Sequence, residues 1–557
     1  MIQVYCKNTG TTRSYREGTT LLDMLPDFEF ERPYPIVSAR VNNVSQGLKF
    51  KVYNSRTVEF CDATVPSGMR VYIRSLCFLM CKAAKDVFRG SHIFIEHPIS
   101  HGYFCRLQKA DGSFDINADD VARIKEKMAA LVAKNQPYHR YEAPIEQVIE
   151  LMRKSGAPDK VSLLETSGQV YMDYYALGKT KDYYYGRLVP STGYLNVWDL
   201  RMYHGGMLLL GPNKHDPTRL APYLDQPRTF DMFSENLKWN EIMGLRTVGE
   251  LNQRLLDGEG SDLIQIAEAL QEKKIVQIAE EIDRRYRGRD KVRLVLITGP
   301  SSSGKTTVSK RLSVQLKACG LRPLTFSTDD YFVDREKTPL LPDGTPDFDN
   351  FDTVDHDALE RDLMKILAGE EVEVPEFNFT TGKREYNGRR YKLEPGNVVV
   401  LEGIHALNPK LTRHIAKRKK FRIFISTLTG IPLDNHNCLP TSDNRLLRRI
   451  IRDYNKGAFT ARQTISQWPK VRAAEDKWIY PYQENADVMF NSAYLVEFAV
   501  LRNHAEPILA SVPKNCPEYA EAHRLLKFIH YFVPVPDKEI PPTSLLREFV
   551  GGSSFKY

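Results

Sequence analysis

Cysteine is scarce in this sequence, with eight residues among 557. That content excludes the disulfide framework that holds many small secreted domains together. Long hydrophobic runs are missing too, because apolar segments such as residues 207–210 and 398–401 are far too short to cross a bilayer. No leader with an apolar core opens the chain. We therefore expect a cytoplasmic protein with reduced thiols and no membrane contact.

A strong excess of one charge is also absent. The net charge is +8, from 78 basic and 70 acidic residues. This balance suits anionic ligands but is too mild to indicate nucleic-acid binding by itself. Hydrophobic residues make up 42% and charged residues 27%, which is ordinary for a globular protein. The length predicts three or four domains rather than one core.

Clusters of metal-ligating side chains are not evident in the N-terminal half. Cys77 and Cys81 are four residues apart, but no second pair or nearby histidine completes a zinc set. We interpret His92, His97 and His101 as loop or packing histidines. The sequence therefore predicts no zinc site at these positions.

The chain divides into five regions by its residue pattern. Short strands and turns predict a first domain over residues 1–75, and mixed helices and strands predict an α+β domain over residues 76–225. Residues 226–290 are highly charged and are predicted to form a helical linker. From 291 to 495 apolar strands alternate with helices, which indicates a parallel sheet with helical crossovers. A helical extension over residues 496–557, interrupted by prolines, follows.

A glycine-rich segment lies between a predicted strand at residues 292–298 and a predicted helix at residues 307–317. Its sequence is Gly299-Pro300-Ser301-Ser302-Ser303-Gly304-Lys305-Thr306. In this strand–loop–helix context the motif predicts a loop whose backbone N–H groups bind the phosphates of ATP. We expect Lys305 to neutralise the β- and γ-phosphates and the Thr306 hydroxyl to hold Mg²⁺. Thr307 completes the predicted phosphate-binding set.

The next predicted strand, at residues 323–327, ends in two aspartates. Ligands of open α/β sheets bind beyond the carboxyl ends of the strands, so Asp329 is expected beside the phosphates. There it can accept the proton of an attacking hydroxyl group or hold a water ligand of Mg²⁺. A turn or capping role stays open for Asp329, and it is the favoured interpretation for Asp330.

A second candidate acid, Glu402, follows the apolar strand at residues 398–401. P-loop enzymes place a carboxylate here that binds the metal through water. The alternative is a simple turn residue. Four buried-looking residues directly before the glutamate favour the metal role.

Four arginines are predicted to share one face of a helix. They are Arg445, Arg448, Arg449 and Arg452, spaced i, i+3, i+4 and i+7. Aligned positive charges repel one another unless an anion lies opposite. A solvated face is the alternative, but we predict a lid that closes over the ATP phosphates and stabilises the transferring charge.

Together these residues make the segment 294–492 resemble the uridine kinase and phosphoribulokinase family. The resemblance rests on five motifs in order: GPSSSGKTT, STDDYF, NFDTVDHDAL, VVVLEGIHAL and RLLRRIIRD. It implies a P-loop kinase fold, with ATP and Mg²⁺ as cofactors. It also implies that Asp329 is the general base for a sugar 5′-hydroxyl group and that Glu402 is the metal-linked acid.

The same resemblance implies contacts with a nucleoside substrate. Asp352 or Asp355 matches the acid that faces the ribose or the base, and the spacing leaves open which one. Phe377 matches the aromatic residue that stacks near the base. Arg449 and Gln467 match further nucleoside contacts.

Two positions depart from the pattern of uridine kinases. Gly382 stands where a histidine contacts the pyrimidine edge, and Phe459 replaces an arginine, with Arg462 nearby. The phosphoryl-transfer residues are thus intact while the base-contacting residues are altered. We expect uridine or cytidine as acceptor, with another small hydroxyl compound as the enzymatic alternative.

The N-terminal half resembles a different family. Residues 1–75 resemble the TGS module, a ubiquitin-like β-grasp domain, and residues 76–225 resemble the editing domain of threonyl-tRNA synthetase. The stretches that carry this resemblance are 39–42, 74–85 and 183–190. In the editing family a helix has two histidines four residues apart, whereas here Arg74 and Phe78 occupy those positions, and the later Cys/His pair is missing. We expect no editing chemistry.

A second hypothesis belongs to a different class of protein. The synthetase-like half could bind tRNA or another RNA, with nucleotide binding acting as a regulatory switch. Intact Asp329 and the arginine face favour the enzyme. The sequence leaves the oligomeric state of the protein open.

Overall fold

The computed structural model describes residues 1–31 and 34–557. The first domain consists of β1 (Ile2–Cys6), β2 (Thr11–Tyr15), β3 (Thr19–Thr20), α1 (Leu21–Met24), β4 (Ser38–Val41), β5 (Val44–Gln46), β6 (Lys51–Val52) and β7 (Arg56–Cys61). Five of these strands form a mixed sheet in the order β2-β1-β7-β4-β5, with β1 and β7 parallel. This is a β-grasp arrangement, as predicted. The β4–β5 hairpin turns at Asn42 and Asn43, whose positive φ angles of 47° and 61° suit asparagine.

The second domain is an α+β unit around one long, apolar helix. Its elements are α2 (Pro66–Val87), β8 (His92–Ile99), β9 (Gly102–Gln108), α3 (Ala118–Ala133), β10 (Tyr138–Pro144), α4 (Ile145–Lys154), α5 (Pro158–Glu165), β11 (Tyr171–Leu177), β12 (Thr180–Asp182), β13 (Asp199–Tyr203) and β14 (Gly206–Leu210). Helix α2 packs on the sheet β13-β14-β9-β8 and buries Cys77 and Cys81 in that core. The predicted domain boundary at residue 75 falls inside α2, because the helix already begins at Pro66, a residue suited to a first helical turn.

The third region is helical, with α6 (Pro227–Met243), α7 (Val248–Leu256) and α8 (Gly260–Arg287). His97 of β8 stacks on Phe233 of α6 with ring centroids 3.6 Å apart, which is a packing role. Helix α8 buries Ile275, Ile278 and Ile282 against the next domain. No helix in the described part of the chain is both long enough and apolar enough to cross a membrane.

The kinase-like domain is built on a five-stranded parallel sheet. Its elements are β15 (Leu294–Thr298), α9 (Lys305–Ala318), β16 (Arg322–Ser327), α10 (His356–Ala368), β17 (Val372–Glu373), β18 (Glu376–Asn378), β19 (Lys383–Glu385), β20 (Arg390–Tyr391), β21 (Asn397–Glu402), β22 (Lys420–Ser426), α11 (Thr441–Asn455), α12 (Ala461–Trp478) and β23 (Val488–Asn491). The strand order is β16-β21-β15-β22-β23. Helices cover both faces, so β15 is buried along its whole length.

The C-terminal extension contains α13 (Glu497–Ala510), α14 (Tyr519–Ile529) and α15 (Arg547–Val550). Buried charges join the two halves of the protein. Lys160 of α5 lies 3.0 Å from Asp182 and 2.9 Å from Asp434, which precedes α11. Two further ion pairs connect α2, α14 and α11: Arg70 with Glu521 and Arg524 with Asp443. The N-terminal half is thus anchored to α11, the helix with the four arginines, and to the segment that precedes it.

Candidate active site

The glycine-rich segment forms a loop between β15 and α9, as predicted. Ser302 and Gly304 have left-handed backbone conformations, with φ angles of 58° and 85°. Gly299 has no room for a side chain, because a Cβ atom there would lie 2.3 Å from the carbonyl oxygen of Ile425. Helix α9 begins directly after Gly304, so its free N–H groups and the positive end of its dipole face the loop. This arrangement suits a bound anion.

Several polar groups of the loop have little to bind within the protein. The buried hydroxyl oxygens of Ser302 and Ser303 have no hydrogen-bond partner among the described residues. The Lys305 ammonium group donates to the Pro300 carbonyl oxygen at 3.3 Å. Buried polar groups without partners are costly, and phosphate oxygens are partners that fit these donors.

Asp329 lies at the carboxyl end of β16, within electrostatic range of Lys305. Burial raises its pKa from 3.8 to about 6; the Lys305 charge opposes the shift and the Asp330 charge adds to it. Asp330 has a structural role, since it accepts a hydrogen bond from the Ser327 N–H at 3.1 Å and pairs with Arg389 at 2.8 Å. The two neighbouring aspartates therefore differ: one caps the turn and the other is left for the site.

Glu402 is the last residue of β21 and lies opposite Ser327 of β16 in the strand register. Burial raises its pKa to about 7, while the Lys305 charge lowers it and the Asp329 charge raises it. The strand order therefore brings Lys305, Asp329 and Glu402 to one edge of the sheet. The two carboxylates are desolvated and repel each other, so a bound cation would stabilise their charged forms.

The residues present fit a Mg²⁺ ion whose ligands are mostly water molecules and phosphate oxygens. The Thr306 side chain acts on the Glu402 carboxylate and lowers its pKa, so the two oxygen groups lie near each other. Mg²⁺ prefers oxygen ligands and usually retains several waters. Within residues 1–31 and 34–557, no group of three or more His, Cys, Asp and Glu side chains could hold a metal alone.

The pKa values of the two carboxylates predict a pH dependence. Asp329 must be deprotonated to accept a proton, so kcat/KM should fall as the pH is lowered from about 7 to below 6. Excess Mg²⁺ should shift only the Glu402 part of this decline to lower pH. Asp330→Asn should shift the Asp329 part to lower pH, because it removes a like charge. A profile that stays flat down to pH 5 would contradict this assignment.

Helix α11, which carries the four arginines, is buried in the domain. The sequence had predicted a lid at this helix. The side chains of Arg445 and Arg448 are only 2% and 0% exposed. Arg445 pairs with Glu475 at 2.5 Å, and Arg448 pairs with Glu497. The anions opposite these two arginines are therefore carboxylates of the chain itself, distant in sequence. Their ion pairs fix the helix in the domain, which a freely moving lid would not allow.

The helix nevertheless contacts the phosphate loop. Arg445 donates to the Ser301 carbonyl oxygen at 3.0 Å, and Glu475 accepts from the Ser301 N–H at 2.9 Å. Arg449 donates to the Ser301 hydroxyl at 2.9 Å. Arg452, one turn further, pairs with its sequence neighbour at 3.1 Å. Of the four arginines, Arg449 combines contact with the loop and a partly exposed guanidinium group.

The two candidate acids on the acceptor side have different environments. Asp355 caps α10 by accepting from the Ala358 N–H at 3.0 Å, and it pairs with Arg384 at 2.9 Å. The Asp352 side chain is 69% exposed. Of the pair that the sequence left open, Asp352 is the more accessible, and its Oδ1 atom lies 3.8 Å from the His356 Nε2 atom.

The sequence analysis did not identify a third acid, Asp349. Burial raises its pKa to about 6, while the charges of Arg449 and Lys305 lower it. It therefore lies within electrostatic range of the two basic residues of the site. The available signal was its position three residues before Asp352, but nothing in the local pattern distinguishes it from other loop aspartates.

The predicted base-stacking residue belongs to an aromatic cluster. Phe377 contacts Phe332 and Phe379 edge-to-face, with ring centroids 5.5 and 5.2 Å apart. Phe377 is buried whereas Phe379 is 62% exposed, so Phe379 presents the accessible ring. Gly382 has a left-handed φ of 70°, which a histidine would adopt only under strain. Gln467 lies half-buried on α12.

In the N-terminal half, the positions of the missing histidines are filled. Arg74 donates to the Arg187 carbonyl oxygen at 2.9 Å, and its guanidinium group lies 4.9 Å from the Tyr185 ring centroid. Phe78 is buried, with its ring 5.2 Å from that of Tyr184. A cation–π contact and apolar packing thus occupy the space.

Known proteins are similar to the kinase-like domain of this chain. A family model described as "Phosphoribulokinase / Uridine kinase family" matches residues 294–498. A uridine kinase of Mycoplasma genitalium is 31% identical over 200 residues, which are 35% of this chain and 83% of that protein. A uridine kinase of Vibrio vulnificus is 30% identical over 199 residues, covering 35% and 85% of the two chains. The chain belongs to this family.

This kinase-family chain is accordingly an ATP-dependent phosphotransferase. Among solved structures, a possible uridine kinase from Bacillus stearothermophilus is 20% identical, with a TM-score of 0.26, covering 36% of this chain and 89% of that one. A putative fructose transport system kinase from Silicibacter is 17% identical, with a TM-score of 0.28, covering 39% and 98%.

The N-terminal part of this kinase-family chain has a relative of its own. A threonine--tRNA ligase of Syntrophotalea carbinolica is 27% identical over 201 residues, which are 36% of this chain and 31% of that protein. This similarity confirms the predicted fusion of a synthetase-like half with a kinase domain.

Proposed function

We propose that the protein transfers the γ-phosphate of ATP to the 5′-hydroxyl group of a nucleoside, with uridine or cytidine as the expected acceptor. One observation carries the proposal: Lys305, Asp329 and Glu402 meet at one edge of the parallel sheet, where burial raises the pKa of both carboxylates. Perturbed groups that converge beside a phosphate loop are typical of a catalytic centre. We expect this reaction in the cytoplasm, where ATP is available.

The chain's own groups account for each part of the transfer. The loop N–H groups and Lys305 bind the β- and γ-phosphates, and Asp329 accepts the proton of the hydroxyl group as its oxygen attacks the γ-phosphorus. The bond between that phosphorus and the β–γ bridging oxygen breaks, and ADP leaves. Arg449, held at the Ser301 hydroxyl, stabilises charge on the transferred group. Mg²⁺, when held by Thr306 and Glu402, would neutralise phosphate charge.

The acceptor is proposed to lie between Asp352 and the aromatic cluster. Asp352 is exposed and can accept hydrogen bonds from sugar hydroxyl groups, while the exposed Phe379 ring, supported by Phe377, offers a stacking surface. Asp349 lies nearer the phosphate side. Gln467 completes the proposed set.

A panel of acceptors tests the proposed reaction. ATP consumption should be measured with the full chain and each of uridine, cytidine, adenosine, guanosine and several sugar alcohols, with Lys305→Ala as the inactive control. We expect a pyrimidine nucleoside to give the highest kcat/KM. A sugar alcohol that exceeds every nucleoside would replace the acceptor but keep the kinase chemistry.

RNA binding by the synthetase-like half is a second candidate, supported by the similarity to a threonine--tRNA ligase. Its strand β10 presents Arg140 and Tyr141 on the surface, and Tyr141 stacks on Tyr174 with centroids 5.2 Å apart. Retention of tRNA by the full chain, measured over a salt series, tests it. Arg140→Glu should weaken retention if this surface binds RNA.

Editing activity is expected to be absent from the same half. Arg74 and Phe78 provide neither a metal ligand nor a general base, so the full chain should not deacylate mischarged threonine tRNA above the uncatalysed rate. Release of the labelled amino acid measures this. Hydrolysis that survives Lys305→Ala and disappears in Arg74→Ala would show that the domain retains an active site.

A further inference from the structure

The last residues of the chain return to the phosphate loop. Leu545, Leu546 and Phe549 are buried, so the middle of the segment 541–557 is packed against the domain. The Leu545 side chain lies against the loop: a Cβ atom at Gly304 would be 2.9 Å from the Leu545 Cδ1 atom. A chain segment distant in sequence therefore covers the start of α9.

The segment also places a carboxylate at the N-terminus of α9. The Thr307 hydroxyl donates to the Glu548 Oε2 atom at 2.5 Å, and the Tyr557 hydroxyl lies 2.9 Å from the same Thr307 oxygen. Thr307 is in the first turn of the helix, where free N–H groups and the helix dipole favour an anion. We expect the phosphates of a nucleotide at this same helix end, so the Glu548 carboxylate lies close to the place proposed for them.

Further contacts hold the segment between α9 and α11. The Phe549 ring lies 4.9 Å from the Arg448 guanidinium group, and its carbonyl oxygen accepts from the Asn455 amide at 3.2 Å. The buried Ser302 and Ser303 hydroxyls of the loop have no described hydrogen-bond partner, in the segment or elsewhere. The segment thus contacts the loop at Gly304 and the first turn of α9 at Thr307.

We propose that residues 541–557 are an internal competitor of the nucleotide, with the Glu548 carboxylate in the place of the phosphate nearest the nucleoside. This inference rests on the proposed function, because it assumes that the loop binds ATP. Nucleotide binding then requires the segment to move off Thr307. The affinity for ATP is set by how firmly Glu548 and Tyr557 hold that hydroxyl group.

Direct titration of the full chain with MgADP tests the proposal without depending on phosphoryl transfer. Glu548→Ala removes a charge-assisted hydrogen bond that competes with phosphate, so MgADP should bind about tenfold more tightly. Glu548→Gln and Tyr557→Phe should each tighten binding by about threefold. Single substitutions are used instead of a deletion of the segment, because Leu545 and Phe549 are part of the core and their loss would unfold it. Glu539→Gln, an exposed site in the same extension, is the matched control and should leave the affinity unchanged.

Limited proteolysis gives a second measurement. Cleavage by trypsin after Arg547 should accelerate when MgADP binds the wild-type protein, because the segment has left the loop. Unchanged or weaker MgADP binding by Glu548→Ala, or protection of Arg547 by MgADP, would show that the segment is a fixed wall of the site and overturn the proposal. Failure of MgADP to bind any variant would instead overturn the phosphate-loop assignment and this inference with it.

Discussion

Replacing Asp329 with asparagine should lower kcat by about 10²–10⁴ and change the affinity for ATP only a little. Asparagine keeps the size and the hydrogen bonds of the side chain but cannot accept the proton of the attacking hydroxyl group. In a loose transition state that proton leaves late, so the aspartate both positions the hydroxyl group and receives its proton. Initial rates at saturating ATP and nucleoside, with ATP binding by calorimetry, measure the two quantities separately.

The neighbouring position offers a matched control. Asp330→Asn changes the adjacent residue in the same way, but that side chain caps a turn and pairs with Arg389, so kcat should stay within about tenfold. Glu402→Gln should differ from both, because it should weaken the Mg²⁺ dependence and the ATP affinity together. Near-normal kcat in Asp329→Asn would make Asp329 a turn residue, and the base would have to be sought at Asp349 or Asp352.

Lys305→Ala should keep the fold and lose phosphoryl transfer by about 10²–10³, the typical effect of removing one charge-stabilising donor. Within the protein, the ammonium group donates to the Pro300 carbonyl oxygen, so its loss should hardly change the melting temperature. Lys317→Ala, an exposed lysine in the last turn of the same helix, is the control for a general loss of charge. A rate for Lys305→Ala within about threefold of the wild type would contradict the assignment of the phosphate loop.

The sequence was most informative where function depends on a short continuous segment. The loop from Gly299 to Thr306 needs only its own glycines, lysine and threonine between a strand and a helix, and all of these are local. Asp329 and Glu402 were found in the same way, since each directly follows a buried strand. Parallel strands place their carboxyl ends at one edge, so locating the strands was enough to bring the three groups together.

The sequence was least informative where a partner comes from far along the chain. The aligned arginines indicated opposing anions, which we predicted to be ATP phosphates. For Arg445 and Arg448 the anions are instead Glu475 and Glu497, which nothing local shows. The predicted lid was therefore a buried helix. The different environments of Asp352 and Asp355 likewise depend on contacts that the sequence pattern does not contain.

By itself, then, the sequence determined the family and the fusion of two halves, and it predicted the groups proposed to act on phosphate, because these depend on local patterns and on strand ends. The tertiary structure alone decided which charges are free and which are paired. It brought Glu548 to Thr307, across 241 positions of the chain, and it placed Lys160 between acids from both halves of the protein. The physical reason is that burial and pairing depend on the full set of neighbours, and a long chain supplies those neighbours through packing.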